Sequence, residues 1–560
     1  MHPAPRHYLF SPETDPSEIV TTIGSTLHCA TDATVESICR YLDSFEWNLY
    51  LAGAALEERM SGTLANTGRE LRWLDLGNHG AVVARQMIAV DPDFVESLPE
   101  GPVRGLLAPV LGIRRLLPMA ELRICTHGLR VLNDDDKTVV RILIEESRPI
   151  DAAGHRLQAL PARLFIQPVR GYERKLEATI QRLQSSLGLH SGMLCEPATL
   201  FQQALASVGR RPGSYSSKLA YQLDPQQPAD AAAKQILRGL FDTLEANIDG
   251  TLHNLDSEFL HDLRVATRRT RSALAQIKGV FPPAVVDEFK AGFAWLQQVT
   301  GPMRDLDVYL LDFPNLRESL PESMRDDLEP LRDWLRGHYA EQQTKLVEAL
   351  ESPQFRALRE DWRAFLEMPN SPSLAPAPRN ARRSIKSVAD SGIRSMLKRV
   401  RREGRAITDA SPAEELHELR KSCKKLRYLM EFFESLYPAD EIRGLIKQCK
   451  ILLDNLGSFQ DLQVQADHLR DSARHMQAEG AADTATLLSI GALVKTMLDQ
   501  QVQARKAFTD TFTTFDSAAN RAAFKRLFAA AAGTDAKPTP STDCNPAGNP
   551  DSNLGDANQA

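Results

Sequence analysis

One motif occurs twice at a fixed separation. FLHDLRVATRRTR occupies residues 259–271 and ELHELRKSCKKLR residues 415–427, which places His261 and His417 156 positions apart. GPMRDLDV begins at Gly301 and GSFQDLQV at Gly457, again 156 apart. Two separate motif pairs that keep one offset mark a duplicated unit. Both lie in a stretch of about 300 residues, from residue 230 onward, whose apolar spacing is helical almost throughout. The chain must therefore build two alike helical halves.

On a helix of about 100° per residue, His261, Arg264, Arg268 and Arg271 fall within an arc of roughly 80°. Leu260, Leu263, Thr267, Thr270, Leu274 and Ile277 occupy a separate, mainly apolar arc. The second copy repeats both arcs. His417, Arg420, Lys424 and Arg427 form one; Leu416, Leu419, Cys423, Leu426, Met430 and Phe433 form the other. Each helix thus has a seam to bury and, beside it, a cationic stripe headed by a histidine.

Like charges at i,i+4 repel by a few tenths of a kcal/mol per pair (about 0.2–0.5), and a single such run is ordinarily a solvated face. Two copies in phase point instead to an anion lying between facing rows, long and polyanionic because a small anion needs few of these donors. Arginine grips phosphate oxygens bidentately, lysine adds a point charge, and histidine is the pH-sensitive member. Arg304, Asp305 and Asp461 in the second motif are candidates to support the rows, the aspartates by orienting arginine or histidine. Arg382, Arg383 and Lys386, with the run Lys398 to Arg405, are candidates to extend the cationic surface.

Before residue 190 the character differs. Leu122–Leu132 and Thr138–Ile144 flank the turn NDDDK, and a further run covers 164–169; these read as antiparallel strands, followed by a helix over 172–187. The expected organisation is α+β and multidomain. A β tunnel or barrel-like domain over 1–190 is followed by a connector, 191–227, and an all-α domain, 228–530. The proline-rich linker 368–380 divides the latter into halves of about 228–367 and 381–530, and the tail 533–560 is expected to be disordered. A length of 560 residues fits several domains, and a net charge of −6 argues against a chain basic all over. The seven scattered cysteines show no metal spacing, and no secretory leader or spanning segment is visible. A cytoplasmic protein without a metal or other cofactor and without membrane contact is the expectation.

HDLRVATRRTR with GPMRDLDV, repeated as HELRKSCKKLR with GSFQDLQV, closely resembles the CHAD domain, the conserved histidine α-helical domain. The resemblance covers about residues 228–530. It implies two four-helix bundles related by a pseudo-twofold axis, a basic channel or groove between them, binding of inorganic polyphosphate and association with polyphosphate granules. The eight stripe residues match its signature positions.

CRYLDSFEWNLYLAGAALEERM (39–60), RRLLPMAELRICTHGLRVLNDDDKTVVRILIEE (114–146) and GYERKLEATIQRL (171–183) resemble the CYTH family, the triphosphate-tunnel fold. Active members carry E-x-E-x-K on the first strand, which implies a divalent metal and a phosphate-contacting lysine. Here the region reads RHYLFSPETD. Alternate strand positions pair His7 with Leu9 or Tyr8 with Phe10, neither a ligand pair for a hard cation. Arg59, Arg72, Arg123 and Arg141 are candidate tunnel residues, with Glu145 or Glu146. The resemblance is therefore to a degenerate tunnel domain, and no catalytic residue is assigned. Two other function classes stand beside polyphosphate binding: a metal-dependent triphosphatase or nucleotidyl cyclase, and a nucleic-acid binder. Against the last, aromatics are 6% of the chain and none lies within the first stripe.

Overall fold

The computed structural model describes residues 6–61, 68–196, 198–369 and 378–529. The expected linker 368–380 falls largely outside these, and the expected tail 533–560 wholly so.

The first part of the chain runs β1 (Arg6–Leu9), α1 (Pro16–Thr26), β2 (Cys29–Thr31), β3 (Val35–Asp43), α2 (Asn48–Leu51), β4 (Ala54–Ser61), β5 (Gly68–Asp75), β6 (Ala81–Ile88), α3 (Pro102–Leu111), β7 (Leu117–Leu132), β8 (Thr138–Ile150), β9 (Arg163–Pro168), α4 (Glu173–Leu187) and α5 (Thr199–Ser207). Every strand pairing is antiparallel, in the order β1-β9-β8-β7-β3-β4-β5-β6, with β2 also on β7. The three strands expected from alternation are β7, β8 and β9. The β7–β8 turn forms because the Asn133 side chain accepts the amides of Asp135 (3.1 Å) and Lys137 (2.8 Å), while Asp136 takes a left-handed φ of 58°. The convex face is covered by helices. Ile19 and Ile23 of α1 and Leu176, Ile180 and Leu183 of α4 pack over β7–β9, and Val103, Leu107 and Leu111 of α3 pack against Leu56, Leu71 and Ile88. The sheet curls into an open half-barrel whose concave face lines the tunnel.

The second part is helical: α6 (Ala229–Ala246), α7 (Ile248–Leu252), α8 (Ser257–Gln276), α9 (Pro283–Val299), α10 (Gly301–Glu318), α11 (Glu329–Glu351) and α12 (Pro353–Glu367), then α13 (Ile385–Ala406), α14 (Ala413–Phe432), α15 (Ala439–Glu479), α16 (Thr484–Phe515) and α17 (Ala518–Leu527). The duplication is kept to the residue at three helix starts: 229 and 385, 257 and 413, 283 and 439, each pair 156 apart. The copies differ at one joint. Thr300 separates α9 from α10, which begins at Gly301, whereas Gly457 lies inside the continuous α15.

All twelve seam residues are buried, none more than 5% exposed. Leu263, Leu419, Cys423, Leu426 and Met430 are at 0%. They feed one core that draws on α6, α8, α9 and α12 from the first half and α13, α14, α15 and α17 from the second. A smaller core joins Leu306, Phe313 and Leu331 to Leu469, Met476 and Leu493. Both cores are shared between the halves, so the halves are held in one relative orientation by apolar burial.

The sheet region meets the helices at the start of α8. Asp256 caps that helix, its carboxylate accepting the Glu258 amide at 2.9 Å. The same carboxylate receives the Arg114 guanidinium at 3.1 Å and the Arg115 amide at 3.1 Å, both from the loop before β7. Arg114 is buried and also pairs with Glu46, with Asp262 at 3.6 Å. Phe45 stacks between Tyr215 and Phe259, at 4.3 and 4.8 Å between centroids.

Candidate functional site

Helices α8 and α14 pack against each other, and Arg268 of the first stripe lies near enough to Lys424 of the second to act on its charge. All eight stripe residues are half-buried; none is a freely solvated charge such as Lys421. Arg264 donates to the Gln297 carbonyl at 2.8 Å and to Thr300 Oγ1 at 2.7 Å, so its partners carry no charge. Arg420 donates to both oxygens of Asp461, at 3.0 and 3.2 Å. His417 Nδ1 lies 2.9 Å from Gln460 Oε1. Arg427 faces Glu431 at 3.7 Å, a carboxylate it shares with Arg269 of the first copy at 3.4 Å. Among the described residues, Arg268, Arg271 and Lys424 have no hydrogen bond or ion pair.

The glycines that open the second motif lie beside the two arginines, at distances a Cβ would tolerate. A Cβ at Gly301 would stand 3.8 Å from Arg264 Nη1, and one at Gly457 would stand 3.4 Å from Arg420 Nη2. In both copies the arginine therefore lies flat against the helix at a position without a side chain.

Crowded positive charge shows in the acid–base states. Burial, with Arg420, Arg268 and Arg427 adding to it, pushes the Lys424 ammonium down to about 8. Arg268 belongs to the first copy and Lys424 to the second, so the two rows influence each other directly. Burial and then Arg268 bring the Arg264 guanidinium down to about 10. Burial, helped by Arg304, Arg268 and Arg114, holds the His261 imidazole down at about 4. An open groove of about 550 Å³ is lined by Arg420, Lys424 and Arg427 on one side and by Gly457, Ser458 and Asp461 on the other.

The supporting candidates divide. Asp461 holds Arg420 directly. Asp305 is raised by burial while Arg264, His468 and Arg304 draw it back, which puts it beside the first stripe without a hydrogen bond to it. Arg304 is spent on the Ser257 carbonyl (3.1 Å) and Glu258 (3.5 Å) at the foot of α8. Lys386 pairs with Asp390 at 2.7 Å and lies over the Tyr437 ring, and Arg383 bonds Asn380 and Ser387. With Arg382 they occupy the turn before α13 and its first turn, and these bonds of Arg383 and Lys386 stay within that turn, α13 and Tyr437. Their proximity in sequence to basic runs does not carry them to the stripe.

The sheet lines a second basic cavity, a tunnel of about 980 Å³. Arg59 and Arg72 line it as expected, with Glu145, but Arg123, Arg141 and Glu146 do not. Strand alternation turns Arg123 and Glu146 to the other face, whereas Arg141 shares the face of Leu143 and Glu145 but lies exposed beyond the lining. The tunnel residues missed from sequence are His7, Glu57, Glu70, Arg85 and Arg163. Their signal was present as Glu57-x-Arg59 and Glu70-x-Arg72 on β4 and β5. Here every charge has a partner. Arg59 binds Glu57 (2.7 Å) and Glu145 (3.1 Å), Arg163 binds Glu145, and Arg72 binds Glu57 (3.3 Å) and Glu70 (2.5 Å). Burial alone would raise the Glu57 and Glu145 carboxyls, yet the arginines outweigh it and hold both below their ordinary values. A divalent metal of the kind the CYTH resemblance implies needs a set of free hard oxygen ligands. These carboxylates are bound to guanidinium groups, His7 sits on the first strand, and the described residues hold no group of three or more metal-ligating side chains. The donor set does not fit the metal.

Among the described residues no helix is long and apolar enough to cross a membrane. No curated protein matches the sequence. Several solved structures are similar, among them these three. The CHAD domain from the plant Ricinus communis is 23% identical over 55% of this chain and 96% of that one, with a TM-score of 0.44. PptA from Streptomyces chartreusis is 16% identical over 51% and 99%, with a TM-score of 0.41. HpAC1 from Hippeastrum, an adenylyl cyclase candidate with a dominant triphosphatase activity, is 13% identical over 38% and 99%, with a TM-score of 0.24. The family model of the CHAD domain matches residues 235–470, a span that holds both copies of the histidine motif and is thereby identified as a CHAD domain.

Proposed function

We propose that the protein binds inorganic polyphosphate along the paired stripes of α8 and α14. The observation that carries this reading is the approach of Arg268 and Lys424 from opposite copies, half-buried and without an ion pair or hydrogen bond among the described residues, Asp461 only partly offsetting the charge at Lys424. Such a row is unfavourable when empty, since each charge loses hydration and repels its neighbours. A linear polyanion relieves both costs together. Arg264 and Arg420, fixed by Thr300 and Asp461, present guanidinium edges to phosphate oxygens, and His261 gains a proton once phosphate offsets the arginines around it. The role is binding, and no catalytic step is assigned to these residues.

The test is titration of the full chain with polyphosphate, comparing wild type with the double variant Arg268→Glu/Lys424→Glu. Neither side chain bonds within the described fold, so the variant is expected to fold. Binding at the stripe should weaken on the order of 100-fold, the loss of two charge-assisted contacts. Unchanged affinity would refute the reading. The enzyme reading, a tunnel triphosphatase or cyclase, finds less support because the tunnel carboxylates are engaged by arginine. Cytoplasmic location and attachment to polyphosphate granules belong to this same proposal and are checked by imaging the tagged chain against a polyphosphate stain.

A further inference from the structure

The basic run of α13 does not extend the central stripe. Arg394, Lys398, Arg401, Arg402 and Arg405 recur at helical spacing and form one wall of a separate open groove of about 930 Å³. The facing wall is α17, which contributes Arg521 and Lys525. Leu397, Phe524 and Phe528 form the floor, and no carboxylate is among the lining residues. Arg399, the one member of the run that turns away, pairs with Glu403 at 2.6 Å.

Among the described residues the seven cations pair with one acidic side chain, Asp516 at the end of α16, which takes both Arg401 (2.8 Å) and Arg405 (2.6 Å). Arg394 and Arg521 donate to main-chain oxygens, of Phe528 at 2.6 Å and of Asp516 at 2.9 Å. Those bonds fix the guanidinium groups and leave their charge in place. Lys398, Arg402 and Lys525 have no partner among the described residues. From Arg394 to Arg405 the α13 wall runs for about 16 Å at 1.5 Å per residue. In a chain whose net charge is −6, this is charge concentrated against the average.

We infer that this outer groove is a second polyanion site, independent of the central stripe, which takes a segment of linear inorganic polyphosphate and makes the protein bivalent for that polymer. The inference leans on the proposed function for the identity of the ligand only. The floor favours a phosphate chain over a nucleic acid: Phe524 and Phe528 are 4% and 1% exposed, so neither offers a ring for a base to stack on. Two sites on one rigid body let a long polymer engage both, or let the protein join two polymers, with avidity beyond either site alone.

The experiment is calorimetric titration of the full chain with a short, monodisperse polyphosphate. Wild type should take two equivalents. Lys398→Glu/Arg402→Glu/Lys525→Glu, at three positions that bond to nothing described, should take one, with the stripe's affinity unchanged. Arg268→Glu/Lys424→Glu should also take one, at the groove. One equivalent in wild type, untouched by the triple reversal, overturns the second site while leaving the stripe standing. One equivalent that the triple reversal removes and the stripe variant keeps upholds the groove and refutes the proposed function. No binding at all overturns both. If the triple reversal abolishes binding of a single-stranded oligonucleotide but leaves polyphosphate stoichiometry intact, the groove belongs to nucleic acid and the inference fails.

Discussion

The tunnel and the stripe are both cavities rich in arginine, and they hold their charge in opposite ways. In the tunnel, Arg59, Arg72 and Arg163 are each bound to one or two glutamates on neighbouring strands, so the charge is cancelled inside the protein. In the stripe, Arg264 rests on neutral oxygens while Arg268, Arg271 and Lys424 rest on nothing described. Buried ion pairs add little net stability but cost heavily when one partner is removed. Unpaired cations lower stability and raise affinity for whatever arrives to neutralise them. Counting arginines therefore says little about ligand binding; counting the carboxylates that reach them says more.

The widest predicted contrast is between reversal in the stripe and neutralisation in the tunnel. Arg268→Glu/Lys424→Glu should weaken polyphosphate binding at the stripe on the order of 100-fold, whereas Arg85→Gln, in the tunnel wall and more than half exposed, should leave it within experimental error. Equal losses would erase the distinction. Next in size, Glu145→Leu leaves Arg59 and Arg163 with one carboxylate fewer. It should lower unfolding stability by about 3 kcal/mol, read by urea titration of the full chain; no change would mean that the tunnel pairs are loose. Salt sharpens the comparison further. Polyphosphate affinity should fall linearly on a log–log plot of salt concentration, by analogy with counterion release from nucleic acids, while the Glu145→Leu penalty should move far less because those pairs are shielded from solvent.

Two smaller effects follow from acid–base state. Lys424 titrates near 8 in the free protein against 10.5 for an ordinary lysine. A polyanion restores its charge, so binding between about pH 8 and 10 should take up protons, seen as a buffer-dependent calorimetric enthalpy that Lys424→Met removes. His261, at about 4 against an ordinary 6.5, is neutral in the fold where the unfolded chain would be protonated. Folding therefore binds fewer protons in that window, and this group's contribution makes stability rise with pH from about 4 to 6.5. His261→Gln should flatten that part of the stability profile.

The helical part was largely legible because its information is local. The 3.6-residue period separates seam from stripe without knowledge of any other element, and all twelve seam positions are buried. The 156-residue offset carried over to helix starts for the same reason. What was hidden depends on partners far away in sequence. That Glu57 would meet Arg72 needs the β4–β5 pairing, and that Glu145 would meet Arg163 needs β8 beside β9. The run from Lys398 to Arg405 is plain as charge, yet its direction is set by α17, more than 100 residues later. Arg114 lies in a loop whose sequence says nothing of Asp256.

That last contact has a practical consequence for dissecting the molecule. Glu46, Asp256 and Asp262 share the single guanidinium of Arg114, which sits among the charges that keep His261 unprotonated. A fragment cut to contain only the helices keeps Asp256 and Asp262 but forfeits that cation. Its histidine would then lose the repulsion of Arg114 and keep the attraction of Asp262, and so ionise at a higher pH than in the intact chain. Titration curves collected on such a fragment would describe an acidity that the whole protein does not possess.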